Sequence, residues 1–316
     1  MKKKLTLAVA TLILALPTAA LLAFEALAKE AAQVPQIPSF TLSDQNVKQG
    51  GVLIVTFSPY SNGFRIPGTV VRIFGKDFAP NNHNIAYIGI DPETNSGKYK
   101  ICLVEGYTYW YCTEIEVLDR KFQEVIVRKK KPVLNIPGRT SEIAAINEAY
   151  ARGNSHHNFA DRPYTEPLDT MFKTKKFHRK VFFRNGVSVH RGVDLRASIG
   201  TPVKAINTGK VVLAARNFSL EGNMVILDHG SGVFSLYLHL SRIDVREGQM
   251  VRSRDVIGLA GNTGKVSPKP SPACSTCGSH LHFAVNMNGA NVSNLRSKLV
   301  SIDPLEFIKA MNELSK

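Results

Sequence analysis

The segment from Ser279 to Phe283 holds two histidines that could do chemistry, His280 and His282. In a β-strand, successive side chains point to opposite faces, so residues two apart share a face. We therefore expect His280 and His282 to project from one face, and Leu281 and Phe283 from the other. Such a pair can place one imidazole on a metal ion and leave the other free to act on whatever the metal activates.

Two other segments carry side chains of the same kind. His190 and Asp194 lie four residues apart, and His239 lies in an apolar, strand-like run over residues 236–240. A catalytic zinc ion is commonly held by three protein ligands, such as two His and one carboxylate, with an open fourth position. Structural zinc sites are instead closed by four ligands and are usually rich in Cys. The composition of this set favours a catalytic metal site.

The elements that must position these residues are mainly β-strands. Residues 29–137 contain short β-branched or aromatic runs separated by turn signals, a pattern that predicts a β-sandwich-like N-terminal domain. Residues 138–171 predict a linker with a helix over 141–152, with Ser141 as its N-cap. Residues 172–316 return to strands and end in a helix that begins at Asp303 and Pro304. The predicted fold class is all-β and mainly antiparallel.

The remaining histidines predict no chemistry. His83 lies in an Asn-rich turn and is expected to be solvated, and His156 and His157 are expected to be exposed in the linker. His178 lies among lysines and arginines, which predicts a surface position. His229 lies between a predicted strand and a turn, which predicts a structural role.

The first residues have the layout of an export signal. Three lysines precede an apolar run from Leu5 to Phe24, and an Ala-x-Ala motif ends at Ala28. The pattern predicts a signal peptide over residues 1–28 and a periplasmic or extracellular protein, with a membrane attachment only if this segment stays uncleaved. The formal net charge is +15, which favours polyanionic surroundings such as a cell wall. The basic residues are scattered and match no nucleic-acid-binding module, so we predict no nucleic-acid partner.

Four cysteines in an exported chain most simply form two disulfides. Cys102 and Cys112 lie symmetrically about Tyr107, so a hairpin with a five-residue loop over 105–109 would place them opposite each other. Cys274 and Cys277 form a C-x-x-C motif just before the H-x-H. This second pair could be a local disulfide or, with His280 and His282, a four-ligand zinc cage, and the oxidising compartment favours the disulfide.

The segment from about Val189 to Val285 resembles the lysostaphin-type, or LytM-like, zinc metallopeptidases, which cut peptide cross-links in bacterial cell walls. The stretches that match, in the family's order, are residues 190–195, 200–203, 228–230, 236–240, 258–264 and 280–283. The resemblance implies an antiparallel β domain with a groove. One departure is the loop before the H-x-H, which is extended here by residues 265–277.

The resemblance also implies roles for individual residues. His190, Asp194 and His282 would bind one zinc ion per chain, and His239 and His280 would be the catalytic pair. Zinc lowers the pKa of bound water to about 7 and polarises a carbonyl. Two imidazoles beside the metal can share the tasks of proton acceptor and oxyanion stabiliser.

The function implied is that of a zinc metallo-endopeptidase acting on peptidoglycan peptides. A cross-link between D-Ala and a diamino acid and a glycine bridge both remain open as the bond that is cut, with the former preferred. The alternative is a non-catalytic wall-binding regulator of other wall hydrolases with the same fold. That alternative predicts a missing ligand, whereas all five residues are present.

Overall fold

The described part of the protein is built mainly of antiparallel strands, which confirms the predicted fold class. The computed structural model describes residues 39–58, 68–131, 136–153, 157–161, 163–266, 278–287 and 299–313. Its described residues contain two helices, α1 (Arg139–Ala151) and α2 (Pro304–Glu313), and neither has the length and apolar composition to cross a bilayer. The predicted signal peptide and the pair Cys274 and Cys277 lie outside the described residues.

Two sheets facing one apolar core make up the N-terminal part. The strands are β1 (Ser39–Leu42), β2 (Asn46–Lys48), β3 (Val52–Ser58), β4 (Thr69–Ile73), β5 (Lys76–Phe78), β6 (Ile85–Gly89), β7 (Gly97–Glu105) and β8 (Thr108–Leu118). One sheet has the order β1-β3-β6 and the other β2-β8-β7-β4-β5. Leu53 and Ile88 of the first sheet and Ile101 of the second are buried in the same cluster. Two sheets packed on one core are what the alternating apolar runs predict.

The β7–β8 hairpin contains the predicted disulfide but not the predicted loop. Cys102 lies directly opposite Cys112, and the two form a disulfide. The strands continue past this pair until Glu105 pairs with Thr108, so the turn has two residues rather than five. The register shifts by one residue beyond Leu103, which leaves Trp110 as a bulge on β8. This extra residue is what allows the tight turn.

An eight-stranded sheet dominates the C-terminal part. The remaining strands are β9 (Glu124–Ile126), β10 (Lys173–Lys175), β11 (Arg179–Phe183), β12 (Gly186–His190), β13 (Val193–Leu195), β14 (Pro202–Lys204), β15 (Gly209–Phe218), β16 (Gly222–Asp228), β17 (Val233–Leu240), β18 (Arg242–Ile243), β19 (Met250–Val251), β20 (Val256–Leu259), β21 (Leu281–Met287) and β22 (Val300–Ile302). The large sheet has the order β10-β13-β21-β17-β16-β15-β19, and β22 also pairs with β21. Two small sheets, β12-β11-β9 and β14-β20-β18, complete the part.

The two helices differ in how well the sequence predicts their start. Helix α1 begins at Arg139 after an N-cap at Gly138, so Ser141 is not the cap but donates its hydroxyl to the Gly138 carbonyl from within the first turn. Helix α2 starts at Pro304 as predicted, and the Asp303 carboxylate accepts a hydrogen bond from the Leu305 backbone N–H at 3.1 Å.

One apolar core extends from the N-terminal strands into the C-terminal sheet. Val52 and Ile54 of β3 belong to the same buried cluster as Met287, Ile302 and Phe307. Residues Ser39–Ser58 and Ile66–Lys316 group as one compact unit, and the other unit of the chain lies outside the described residues. The predicted boundaries at residues 137 and 172 stay predictions.

The surface position predicted for His178 is wrong. Its side chain is buried, and its Nε2 lies 2.7 Å from a carboxylate oxygen of Glu93. The ring also packs against Phe122 and Phe177. The basic residues around His178 predict solvent exposure, but Glu93 and Phe122, from the N-terminal part of the chain, contact the ring. His83 and His157 are exposed, as expected, and His156 lies outside the described residues.

His229 is a neutral, fully buried histidine in the core of the large sheet. Its Nδ1 donates to the Thr208 carbonyl at 2.8 Å, and its Nε2 lies 2.7 Å from the Ser235 hydroxyl. Burial lowers the pKa of His229 to about 4, because the charged ring would lose its hydration without gaining a carboxylate partner. The folded protein therefore holds the uncharged ring.

This burial predicts a pH-dependent loss of stability. The unfolded chain protonates His229 near pH 6.5 and the folded chain only near pH 4, so the stabilisation is complete above pH 6.5 and is lost as the pH falls through this window. When the pH falls from 7 to 5, the unfolding free energy of His229→Gln should fall by about 2 kcal/mol less than that of the original protein. Urea unfolding at both pH values measures this difference. His83→Gln, at an exposed site, should behave like the original protein, and an unchanged pH slope in His229→Gln would contradict the prediction.

Candidate metal centre

Strand pairing brings the first two candidate ligands face to face. Strand β13 pairs with β21 in an antiparallel register that sets Asp194 opposite His282. Their neighbours Val193, Leu281 and Phe283 are fully buried in the core. The apolar residues hold one face of both strands against the core, so the residues between them are turned to the other face. This is the division into an apolar and a polar face that the H-x-H sequence predicts.

His190, at the end of β12, completes a group of three. Its Nε2 lies 2.9 Å from Asp194 Oδ1 and 3.0 Å from His282 Nδ1, and His282 Nδ1 lies 2.9 Å from the same carboxylate oxygen. Within the described residues, this is the group whose ligand atoms all lie within 4.8 Å of one another and could hold a metal ion. The structure thus brings together the three residues expected to bind a metal.

The three atoms have too few hydrogens to form hydrogen bonds in all three of these contacts. Nδ1 of His190 lies 3.0 Å from the Lys176 carbonyl oxygen and donates its hydrogen there. In a neutral ring Nε2 then has only a lone pair, and the carboxylate oxygen has only lone pairs. A single hydrogen on His282 can serve just one of them. A cation among the three atoms removes the conflict, and two imidazole nitrogens with one carboxylate oxygen form a donor set that zinc accepts.

The electrostatics keep Asp194 ionised. Burial acts to raise the pKa of this carboxyl, but the adjacent imidazoles of His190 and His282 outweigh it and hold the pKa far below its usual value. The second oxygen, Oδ2, accepts a hydrogen bond from the Lys175 ammonium at 2.6 Å. Burial lowers the pKa of His282, against the pull of the carboxylate. The group therefore presents an anionic carboxylate oxygen beside a neutral His282 ring.

His239 and His280 lie beside this group without belonging to it. The ring centroids of the two residues are 4.8 Å apart, and His239 is 6.0 Å from His282. Nε2 of His280 is 3.5 Å from Asp194 Oδ1. Burial and the neighbouring His280 and His282 lower the pKa of His239 to about 3, which keeps its ring neutral.

Both flanking rings are oriented by the backbone. Nδ1 of His239 donates to the Thr263 carbonyl at 2.9 Å, and Nδ1 of His280 donates to the Gly278 carbonyl at 2.6 Å. In the neutral form of either ring, the hydrogen is therefore on Nδ1 and the lone pair on Nε2. Fixing one nitrogen in this way sets the tautomer and the direction of the other.

A bulge in β17 directs the side chain of His239. The register with β16 shifts between Tyr237 and Leu240, and His239 has a φ of 64° in the left-handed region. Its backbone N–H donates to the Glu221 carbonyl. A non-glycine residue in this region costs of order 1 kcal/mol, and bulges beside functional sites commonly redirect a side chain. Here the bulge turns His239 toward His280.

Gly192 leaves room for the ring of His282. A Cβ at this position would lie 2.7 Å from His282 Nε2 and 2.6 Å from the Phe283 carbonyl oxygen. Both distances are too short for a real side chain. The glycine between His190 and Asp194 therefore allows β12, β13 and β21 to approach closely enough for the three candidate ligands to meet.

The sequence reasoning missed the contacts that support the group. Lys175 pairs with Asp194 because β10 lies beside β13 in the sheet, and nothing in the local sequence indicates that neighbour. The carbonyls of Lys176, Thr263 and Gly278 orient three of the rings, and backbone acceptors leave no mark on residue type. The competing four-ligand cage needs Cys274 and Cys277, which lie outside the described residues.

Comparison with known proteins places this site in a family. The profile described as peptidase family M23 matches residues 188–294. The chain is 38% identical over 113 residues to the peptidoglycan DD-endopeptidase ShyA of Vibrio cholerae serotype O1, which covers 36% of this chain and 24% of the relative. It is 37% identical over 123 residues to lysostaphin of Staphylococcus staphylolyticus, which covers 39% of this chain and 22% of the relative. The match thus spans about a quarter of the length of these relatives.

A solved structure extends the likeness beyond the matched segment. A candidate M23 peptidase from Pseudomonas aeruginosa aligns with a TM-score of 0.55 and 25% sequence identity, over 83% of this chain and 94% of that protein. All five residues His190, Asp194, His239, His280 and His282 fall inside the segment that matches the family profile. Residues 188–294 of this chain are therefore a peptidase family M23 domain of the lysostaphin type.

Proposed function

We propose that this protein is an exported zinc metallo-endopeptidase that hydrolyses peptide cross-links of peptidoglycan. The observation that carries the proposal is the convergence of His190, Asp194 and His282 within 4.8 Å, with two further imidazoles beside them. A set with three protein ligands and adjacent proton-transfer groups is typical of catalytic rather than structural metal sites.

In this proposal His190 Nε2, Asp194 Oδ1 and His282 Nδ1 hold one zinc ion. When bound, zinc supplies Lewis-acid chemistry: it polarises a carbonyl and makes water more acidic. Lys175 neutralises the other carboxylate oxygen and leaves Oδ1 for the metal, and the Lys176 carbonyl fixes the ring of His190. Gly192 leaves space for the ring of His282.

The roles of His239 and His280 follow from their tautomers. Nδ1 of each ring donates a hydrogen bond to a backbone carbonyl, so in the neutral form Nε2 has a lone pair that can accept the proton of the attacking water. Neither neutral ring can donate through Nε2. A ring that has taken the proton can donate it, first as a hydrogen bond to the oxyanion and then to the leaving amine. A single proton, taken from the water, can therefore first stabilise the oxyanion and then protonate the leaving amine.

Three observations support a wall substrate and export. The relative from Vibrio cholerae is named a peptidoglycan DD-endopeptidase. The formal net charge of +15 favours retention on an anionic wall. The Cys102–Cys112 disulfide suits an oxidising compartment outside the cytoplasm, as does the signal-like N-terminal sequence.

The metal ligands can be tested by zinc content. Purified protein should bind about one zinc ion per chain, and Asp194→Ala or His282→Ala should abolish most of that binding, because each removes one of three ligands. Asp169→Ala and His157→Ala are matched controls at exposed sites and should keep the metal. Cys274→Ser/Cys277→Ser should also keep it. Full zinc content in Asp194→Ala and His282→Ala would reject the site.

Close packing at Gly192 predicts a graded effect on the same site. Gly192→Ala should weaken zinc affinity by about 10- to 100-fold, because the added methyl group displaces the ring of His282 or the Phe283 carbonyl. Competition with a chromophoric chelator measures the affinity. The control is Gly248→Ala. Gly248 has a left-handed backbone and open space around the Cβ position, so the alanine should lower stability but leave zinc affinity unchanged. Equal affinities for the two variants would contradict this account of Gly192.

Cleavage tests the catalytic pair. The zinc-loaded protein should release cross-link fragments from purified sacculi, identified by mass spectrometry, whereas His239→Ala and His280→Ala should keep zinc and lose at least about 100-fold of the activity. His157→Ala is the matched control.

A protein that releases no fragments but stimulates another wall hydrolase would instead support the non-catalytic regulator. Equal release by chelator-treated and zinc-loaded protein would reject a metallopeptidase. Fragment masses from several wall types also identify the bond.

A further inference from the structure

Four aromatic side chains are exposed together at the end of the β7–β8 hairpin. Tyr107, Tyr109, Trp110 and Tyr111, here called the aromatic tip, have exposed fractions of 101%, 56%, 41% and 45%. Single exposed aromatic residues are ordinary, but a contiguous group of them commonly marks a binding surface. The metal site and its proposed mechanism do not use these residues.

Three of the four rings are held in place by specific contacts. The Arg72 guanidinium donates to the Tyr109 hydroxyl at 3.1 Å, and its carbon lies 5.7 Å from the centre of that ring. The Trp110 indole N–H donates to Glu105 at 3.1 Å. Tyr111 packs edge-on against Phe40, with 5.4 Å between the ring centroids. The rings are thus oriented by their edges while part of each stays in solvent.

The hairpin beneath the aromatic tip is also constrained. The Cys102–Cys112 disulfide links the two strands, and the two-residue turn and the bulge at Trp110 lie just beyond it. A surface that is ordered before binding loses less entropy when it binds. Tyr and Trp also offer large contact areas with few rotatable bonds. These properties suit recognition of a ligand by ring faces.

The cation that touches the aromatic tip, Arg72, is already paired with a carboxylate. Arg72 forms an ion pair with Asp77, with nitrogen-to-oxygen distances of 2.5 and 2.8 Å, and Glu105 accepts the indole hydrogen of Trp110. The chain as a whole has a formal net charge of +15. A surface for anionic lipid headgroups would be expected to present unpaired Lys or Arg. A paired cation together with the carboxylate of Glu105 favours an uncharged ligand over an anionic one.

We propose that the aromatic tip binds the glycan strand of peptidoglycan, with its rings stacked on the pyranose rings of the sugars. The C–H groups on a sugar face are apolar and match the electron-rich face of an aromatic ring, while the phenol hydroxyls can exchange hydrogen bonds with sugar hydroxyls. The choice of polymer rests on the proposed function, because a peptidase that cuts cross-links acts beside glycan strands. The aromatic tip would hold the protein on the wall.

The chain carries its own reporter for this test, because Trp110 is its one tryptophan. Oligomers of β-1,4-linked N-acetylglucosamine, the probe used for the glycan, have its pyranose rings without carboxylates and should change the tryptophan emission of the purified protein in a saturable way. The variant Tyr107→Ser/Tyr109→Ser keeps Trp110 and should bind about tenfold more weakly or worse, since it loses two stacking rings. Ile126→Ser is the matched control, because Ile126 is 83% exposed elsewhere on the surface, and it should bind like the original protein.

The outcomes separate this proposal from its rivals. No emission change with glycan, or equal binding by the double tyrosine variant, overturns it. An emission change with vesicles of phosphatidylcholine and phosphatidylglycerol but not with glycan overturns it in favour of a membrane surface. The glycan carries no peptide bond to cut, and the titration is repeated with Asp194→Ala. Glycan binding without sacculus cleavage would therefore contradict the proposed function alone, and cleavage without a tryptophan response would contradict the aromatic tip alone.

Discussion

The register of β13 against β21 is the constraint on which the candidate site depends. Asp194 meets His282 because Val193, Leu281 and Phe283 are committed to the core on the other face. Side chains alternate with a period of two, so a slip of one residue would turn the carboxylate into the apolar core and turn the apolar residues away from it. The energy that fixes the polar group thus comes from apolar burial. The neighbouring pairs of β10 with β13 and β17 with β21 then place the lysine and His239 around the same point.

Backbone carbonyls account for most of the remaining order in the site. Lys176, Gly278 and Thr263 each accept a hydrogen from Nδ1 of a different histidine. Side chains can be exchanged by mutation, whereas a carbonyl stays as long as the chain path stays. The path of the backbone consequently determines the tautomers of three rings, and with them the proton transfers that these rings can carry out.

The sequence predicts the parts of this arrangement that follow from residue type and local period. The strand-rich fold, the polar face of the H-x-H segment and the N-cap at Asp303 all follow from local patterns, and the disulfide from cysteine spacing. The errors concern relations between distant segments. The basic neighbours of His178 predict solvent exposure, but its ring contacts Glu93 and Phe122 from another part of the chain and is buried. The bulges at Trp110 and His239 insert single residues, which a regular alternation cannot indicate. Lys175 was overlooked because its partner lies across a sheet.

The core that extends from Val52 and Ile54 to Ile302 and Phe307 has a consequence for how the protein can be divided. A catalytic fragment cut out at the predicted boundary would expose the apolar side chains that β3 now covers, and it would lose the ion pair of Arg120 with Asp303. Such a fragment would tend to aggregate. The N-terminal strands are thus part of the core of the C-terminal sheet rather than a separate accessory domain. A hydrolase engineered from this chain would have to retain both parts or replace the apolar residues where they meet.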